Sequence, residues 1–223
     1  MKILALDAGL GPFSVALDLD GVITSERSDR NDALEAGLGR IAALLEHAGL
    51  RLADLDRIAV GVGPGSFTGI RIALSFAKAL AYGASVPLVG ISSYDILTPT
   101  DVPEPCLTVV SGRPGVICAR LSAGGVKSVA CGPAATVVRR LLGDRPPDVS
   151  LTLIANTEDV FPEIGERSLG VHRLISPAAR NPAVVIAMLA RGREPSSSPH
   201  GVAPDYGEMP AVTVPKAGTE IAP

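Results

Sequence analysis

The run Ile3-Leu4-Ala5-Leu6 is wholly apolar and ends at once in Asp7-Ala8-Gly9, which reads as a buried strand entering a tight turn. The residues after it restrict the fold further. Phe13 to Leu19 alternates as a second strand, Asp20-Gly21 is a two-residue hairpin signal, and Val22-Ile23-Thr24 continues as a third strand. The chain therefore opens with an antiparallel meander, which an ordinary dinucleotide-binding fold would not do. With four Phe, three Tyr and no Trp among 223 residues, the core must be built from Ala, Val, Leu and Ile. Such a core suits a parallel sheet covered by helices. A hydrophobic share of 47% against 19% charged excludes a disordered chain.

From about residue 31 to Ala48 the apolar positions Leu34, Leu38, Ile41, Leu45 and Ala48 recur at helical spacing and predict one buried face. Gly37 and Gly39 weaken the first half, so the firm helix is placed after Leu38. Asp56 to Val62 reads as another buried strand, followed by a second helix from about Ser66 to Tyr82 and a strand at Val86 to Ile91. The proline-rich stretch from Thr98 to Pro105 is the best boundary, giving subdomains at 1–100 and 101–192. In the second, Leu107 to Val110 and Val116 to Leu121 form a strand pair, Leu151 to Ile154 a short strand, and 134–142 and 182–190 helices. Residues 193–223, rich in Ser and Pro, are expected to be extended or disordered. No repeat of fixed period is present, yet each half begins with a strand, a glycine-containing turn and a second strand.

The chemically loudest stretch is Gly61-Val62-Gly63-Pro64-Gly65-Ser66-Phe67-Thr68-Gly69-Ile70-Arg71. It lacks the Lys-Ser/Thr of a phosphate-binding P-loop, the spacing of a dinucleotide fingerprint, and the flanking glycines of a nucleophile elbow. Two readings stay open: backbone brought close to an anion at a helix N-terminus, or a tight turn with Ser66 as helix cap. Asp7 is the other candidate, because a carboxylate ending the first strand before a glycine turn is how actin-like ATPases begin. Its turn, Ala8-Gly9-Leu10-Gly11, offers no hydroxyl to a phosphate, and Asp7 satisfying turn amides is an equal alternative. The histidines His47, His172 and His200 are scattered, so no helical metal pair can be built. No nucleophile, base and oxyanion pocket can be assembled either. Neither catalytic nor metal-ligating residues are therefore expected. Three widely spaced cysteines, Cys106, Cys118 and Cys131, read as buried thiols of a reducing compartment. A net charge of −3 argues against a surface that grips nucleic acid alone. The early end of the first apolar run is not that of a signal peptide, and no run reaches the length of a membrane span. A cytoplasmic protein is the expectation.

The opening ILALDAGLGPFSVALDLDG, the segment from Leu44 to Leu97 and the late APDYGEMPAVTVPK resemble the TsaB (YeaZ) family of tRNA threonylcarbamoyladenosine biosynthesis proteins. The block Gly63, Pro64, Gly65, Ser66, Phe67, Thr68, Gly69 and Arg71 is the specific part of that likeness. The resemblance implies an α/β, actin-like (ribonuclease H-like) fold of two subdomains with a degenerate nucleotide site at Asp7, Ala8 and Gly9. It implies a non-catalytic scaffold that pairs with TsaD, and through it with the ATPase TsaE. Threonylcarbamoyl is then transferred to the adenosine next to the anticodon of tRNAs reading codons that start with A. ATP and metal belong to the partner subunits, tRNA is reached only through the complex, and a homodimer forms when the chain is alone. A self-sufficient actin-like nucleotide enzyme is the alternative, and a glycoprotease-type peptidase ranks last.

The chain departs from the family pattern in places. Asp7-Ala8-Gly9 stands where Asp-Thr-Ser is usual, Ser111-Gly112-Arg113 where Asp-Ala-Arg is usual, and Tyr206-Gly207-Glu208 where Tyr-Leu-Arg is usual. The second helix is apolar over most of its circumference and needs burial on two sides. Its stripe of Ala73, Ala77 and Ala81, with Phe67 and Ile70, is expected to join Leu38, Ile41 and Leu45 of the first helix in a helical-bundle interface.

Overall fold

The computed structural model describes residues 1–30, 32–143, 150–160, 171–175 and 181–207, with the side chains of Arg113 and 171–175 outside that description. The meander at the N-terminus is present. Strands β1 (Lys2–Asp7), β2 (Ser14–Leu19) and β3 (Val22–Arg27) pair antiparallel. β4 (Arg57–Gly63) and β5 (Leu88–Ser92) then add in parallel to the other edge of β1, giving the order β3-β2-β1-β4-β5. The centre of this sheet is apolar on both sides because β1 alternates between two helical layers. Leu4 and Leu6 face α1 (Ala33–His47) and α2 (Phe67–Ala84), whereas Ile3 and Ala5 face α5 (Pro182–Ala190).

The second sheet repeats the first. β6 (Cys106–Arg113), β7 (Val116–Ala123) and β8 (Val126–Pro133) form an antiparallel meander. β9 (Leu151–Ala155) and β10 (Val171–Ile175) add in parallel, so the order is β8-β7-β6-β9-β10. The faint echo between the halves is thus one topology used twice. α4 (Ala134–Leu142) covers one face through Val137, and α3 (Ser93–Leu97) meets the other through Tyr94 and Leu97. An ion cluster joins the halves. Asp95 of α3 accepts from Arg120 of β7 at 2.5 Å and from Arg193 at 2.9 Å, and the Arg120 guanidinium lies over the Tyr94 ring.

Several expectations are corrected. α1 starts at Ala33 in spite of its glycines, because Gly37 is a contact point. A Cβ there would lie 2.9 Å from Phe76, which stacks edge-on against Phe13 beneath the helix. The helix therefore buries Ala33, Gly37, Ile41, Leu44 and Leu45, and leaves Leu34 and Leu38 outside. α5, assigned by sequence to the second subdomain, crosses back to the first sheet. Ala183, Ala187 and Ala190 let it approach β1 and β2 closely, and Arg191 just beyond it clamps the buried Asp18 through Nε and Nη2. The tail is extended but tied down as far as Gly207. Ser196 donates to the Leu88 carbonyl and Asp205 to that of Val62. Residues 208–223, including Glu208, lie outside the described residues.

The cysteine reading fails for two of three. Cys106 is a buried free thiol, but Cys118 and Cys131 are joined in a disulfide. They stand directly opposite on β7 and β8, with Cα atoms 4.1 Å apart. The register comes from the two-residue turn Gly124-Gly125, both at positive φ. That Gly-Gly signal marks the turn, but the exposed residues that open β8 hide the strand that follows it.

Candidate functional site

The end of β1 and the end of β4 lie side by side because the two strands pair in parallel. Parallel pairing carries Asp7 and its turn to the same edge as the glycine-rich loop, where an open α/β sheet usually offers a ligand crevice. Here the two loops touch. The Ser66 amide donates to the Gly9 carbonyl at 2.8 Å. A Cβ on Gly65 would run into the Gly9 carbonyl, and one on Gly69 into that of Ala8, so only glycine permits this approach. From the second sheet, Gly112 presses on the Gly65 carbonyl, which a Cβ would meet at 2.7 Å. The Ser66 hydroxyl accepts from the Gly69 amide and caps α2.

Asp7 sits below this contact and is 1% exposed. Its Oδ2 accepts from the Leu10 amide at 3.0 Å, while Oδ1, held against Gly61, has no hydrogen-bond partner among the described residues. Burial pushes its carboxyl up to about 6, offset partly by the Leu10 and Gly9 amides and by the charge of Arg27. The turn-amide reading of Asp7 is therefore half fulfilled. Among the described residues no group of three or more His, Cys, Asp or Glu is placed to hold a metal ion. No helix among them is long and apolar enough to cross a membrane.

The tail completes the site from outside. The Asp205 amide donates to Val62 at 2.7 Å, the Gly207 amide to the Asp205 carboxylate at 2.9 Å, and the Tyr206 ring lies 4.7 Å from that of Phe67. Arg71 covers Phe67 at 5.1 Å. The motif residues Gly63 to Arg71 thus serve a packed junction of three chain segments.

The family model described as TsaD, tRNA N6-adenosine threonylcarbamoyltransferase, matches residues 34–165, more than half of the chain. The tRNA threonylcarbamoyladenosine biosynthesis protein TsaB of Escherichia coli (strain K12) is 39% identical over 95 residues, covering 42% of this chain and 41% of that protein. TsaB of Bacillus subtilis (strain 168) is 32% identical over 100 residues, covering 44% and 43%. The solved structure of YeaZ from Pseudomonas aeruginosa superposes with a TM-score of 0.70 at 24% identity, over 92% of this chain and 99% of that one. The chain belongs to this family, on its TsaB/YeaZ side. Its fold is the actin-like one. The matched stretch spans about two fifths of the length of the curated TsaB relatives.

The TsaB-type interface expected on α1 and α2 is placed differently by the structure. Ile41, Leu45, Ile70, Ala73, Ala77 and Ala81 are buried within the chain, between the helices and the first sheet. Only Leu38 and Phe67 of the expected set are exposed, at 50% and 48%. The alanine stripe of α2 serves close packing onto β1 and β4 and is unavailable to a partner. Leu34, 66% exposed and one helical turn before Leu38, joins the exposed face although the expected set does not contain it. The outward face is therefore Leu34 and Leu38 on α1, with Phe67, Arg71 and Ser75 on α2.

Proposed function

We propose that this chain is a subunit without chemistry of its own in the formation of threonylcarbamoyladenosine on tRNA, acting as a scaffold for a TsaD-type catalytic subunit. The observation that carries this reading is the hydrogen bond from Ser66 to Gly9. It draws the loops after β1 and β4 together at the place where an actin-like ATPase would need room and donors for phosphate. Instead of hydroxyls the turn presents Ala8 and Gly9, and its carbonyls are covered by Ser66, Gly65 and Gly69. ATP and metal are then the business of the partner subunits, with a TsaE-type ATPase joining through the TsaD-type one. The names of the TsaB relatives support the pathway, and the exposed Leu34, Leu38 and Phe67 on the outer side of α1 and α2 support docking on a protein. Alone, the chain pairs with a second copy through that face. With a net charge of −3, it meets tRNA only in the assembly.

The test is reconstitution with the TsaD-type and TsaE-type proteins of the same cell. Threonylcarbamoyladenosine should form on tRNA only when this chain is present, and the chain alone should bind no ATP by calorimetry. One observation favours the alternative, a nucleotide enzyme in its own right: Asp7 keeps a buried carboxylate oxygen with no partner among the described residues. ATP turnover by the purified chain, lost in Asp7→Asn, would establish that alternative and overturn the scaffold reading.

A further inference from the structure

The disulfide does not lie at an indifferent place. Cys118 and Cys131 project from β7 and β8 on the face of the second sheet that carries Val110 and packs on Tyr94 and Leu97 of α3, not on the face covered by α4. Gly207 lies directly on the two sulfurs. A Cβ on that residue would collide with both and would sit 3.4 Å from Pro64 of the glycine-rich loop. The sulfur pair is thus the floor beneath the last described turn of the tail. Cys118 is buried, whereas Cys131 is partly exposed and is the thiol nearer to solvent.

We propose that Cys118 and Cys131 form a reversible thiol–disulfide site whose oxidation state decides whether the strap of residues 202–207 lies on the glycine-rich loop. The co-reactant is a low-molecular-weight disulfide of the glutathione class. One protein thiolate attacks it to give a mixed disulfide, releasing one small thiol, and the second protein thiolate displaces the other small thiol. One protein S–S bond forms, the small S–S bond breaks, and the two thiol protons pass to the departing thiolates. Reduction reverses the exchange.

The coupling to the strap is steric. Bonded sulfurs stand about 2.0 Å apart, whereas two thiols must separate to full van der Waals distance. The paired strands fix both Cβ atoms, so the sulfurs can move only by swinging away from each other. Gly207 stands over them without room for even one added carbon. Opposing its displacement are the hydrogen bond from the Asp205 amide to the Val62 carbonyl and the contact of Tyr206 with Phe67. Reduction therefore lifts Gly207 and Tyr206 and frees the face of Phe67 on which Tyr206 rests.

Chymotrypsin cleavage after Tyr206 in the full chain reads this directly, with Tyr82 in α2 as internal control. The chain is treated with oxidised glutathione or with dithiothreitol, and thiol alkylation verifies each state. Cleavage after Tyr206 should be roughly tenfold faster in the reduced chain, while cleavage after Tyr82 stays slow in both. The double variant Cys118→Ala/Cys131→Ala has smaller side chains and no thiols to separate. Its strap should resist cleavage under both conditions. Gly207→Ala should be cut quickly in both. A less than twofold difference between the two states of the unaltered chain overturns the proposal. So does a parallel rise at Tyr82, or failure of the two cysteines to join under oxidised glutathione.

Discussion

A carboxylate held at 1% exposure with one oxygen unpartnered is a liability to the fold, and Asp7 is that residue. Its carboxyl, pushed up to about 6 by burial from an ordinary 3.8, binds its proton more tightly folded than unfolded. The stability it contributes is therefore fullest below pH 4. That contribution falls as pH rises towards 6, by up to ~1.4 kcal/mol per pH unit. Asp7→Asn keeps an oxygen for the Leu10 amide and removes the charge. It should raise stability by about 3 kcal/mol at pH 7.5 and change it little at pH 4, as measured by urea denaturation. Equal stability of the two proteins at pH 7.5 would sink this account. Asp7 and the glycine block were both legible in the sequence as something unusual, because small residues between a strand and a helix have few uses. What they do there was not, since the Ser66–Gly9 contact joins residues far apart in sequence. The cysteines were illegible for a different reason. Their pairing depends on the register of a hairpin whose second strand has exposed, weakly patterned residues at its start.

At the scale of elements, periodicity located α1, α2 and the central strands, but not which way each helix turns. Leu34 and Leu38 fit the apolar period as well as Ile41 and Leu45 do. Only the Phe76 and Phe13 rings under Gly37 decide that the buried stripe runs through Ala33, Gly37 and Ile41. Tertiary packing overrode pattern there, as it did for α2, whose alanines turn inward. Ala77→Glu consequently belongs to folding. An unpaired charge at a fully buried position should destabilise the chain by several kcal/mol, seen as a large loss in thermal midpoint. A variant as stable as the parent would show that Ala77 faces outward after all. α5 makes a parallel case. Burial opposes the charge on Asp18, but the Arg191 hydrogen bonds and the Gly21 amide outweigh it and hold its carboxyl below the usual range. Arg191→Ala strands that carboxylate beneath the helix and should cost about 3 kcal/mol. Asp18→Asn combined with Arg191→Ala should recover part of the loss in the same thermal melts.

In the whole molecule, two sheets of one topology face each other across α3, and the glycine loops of the first meet Gly112 of the second. On the proposed scaffold reading, the outer surface of α1 and α2, where Leu34, Leu38 and Phe67 are exposed, is the docking face. The first sheet is already covered on both sides, so nothing among the described residues requires Leu34 and Leu38 to be apolar. Completing the burial of exposed leucines on association is worth on the order of 1–2 kcal/mol each. A glutamate there would instead have to be desolvated without a partner. Because both positions point into solvent in the free chain, Leu34→Glu and Leu38→Glu should leave its own stability within about 0.5 kcal/mol. The same changes should weaken binding to a TsaD-type subunit by roughly a hundredfold, about 2.7 kcal/mol, and self-association likewise. Ser197→Glu, an exchange on the tail segment beyond the first sheet, should alter neither. Analytical ultracentrifugation of the free chain and calorimetric titration with the partner separate the two effects. Unchanged affinity in both glutamate variants, with unchanged melting, would move the docking face away from α1.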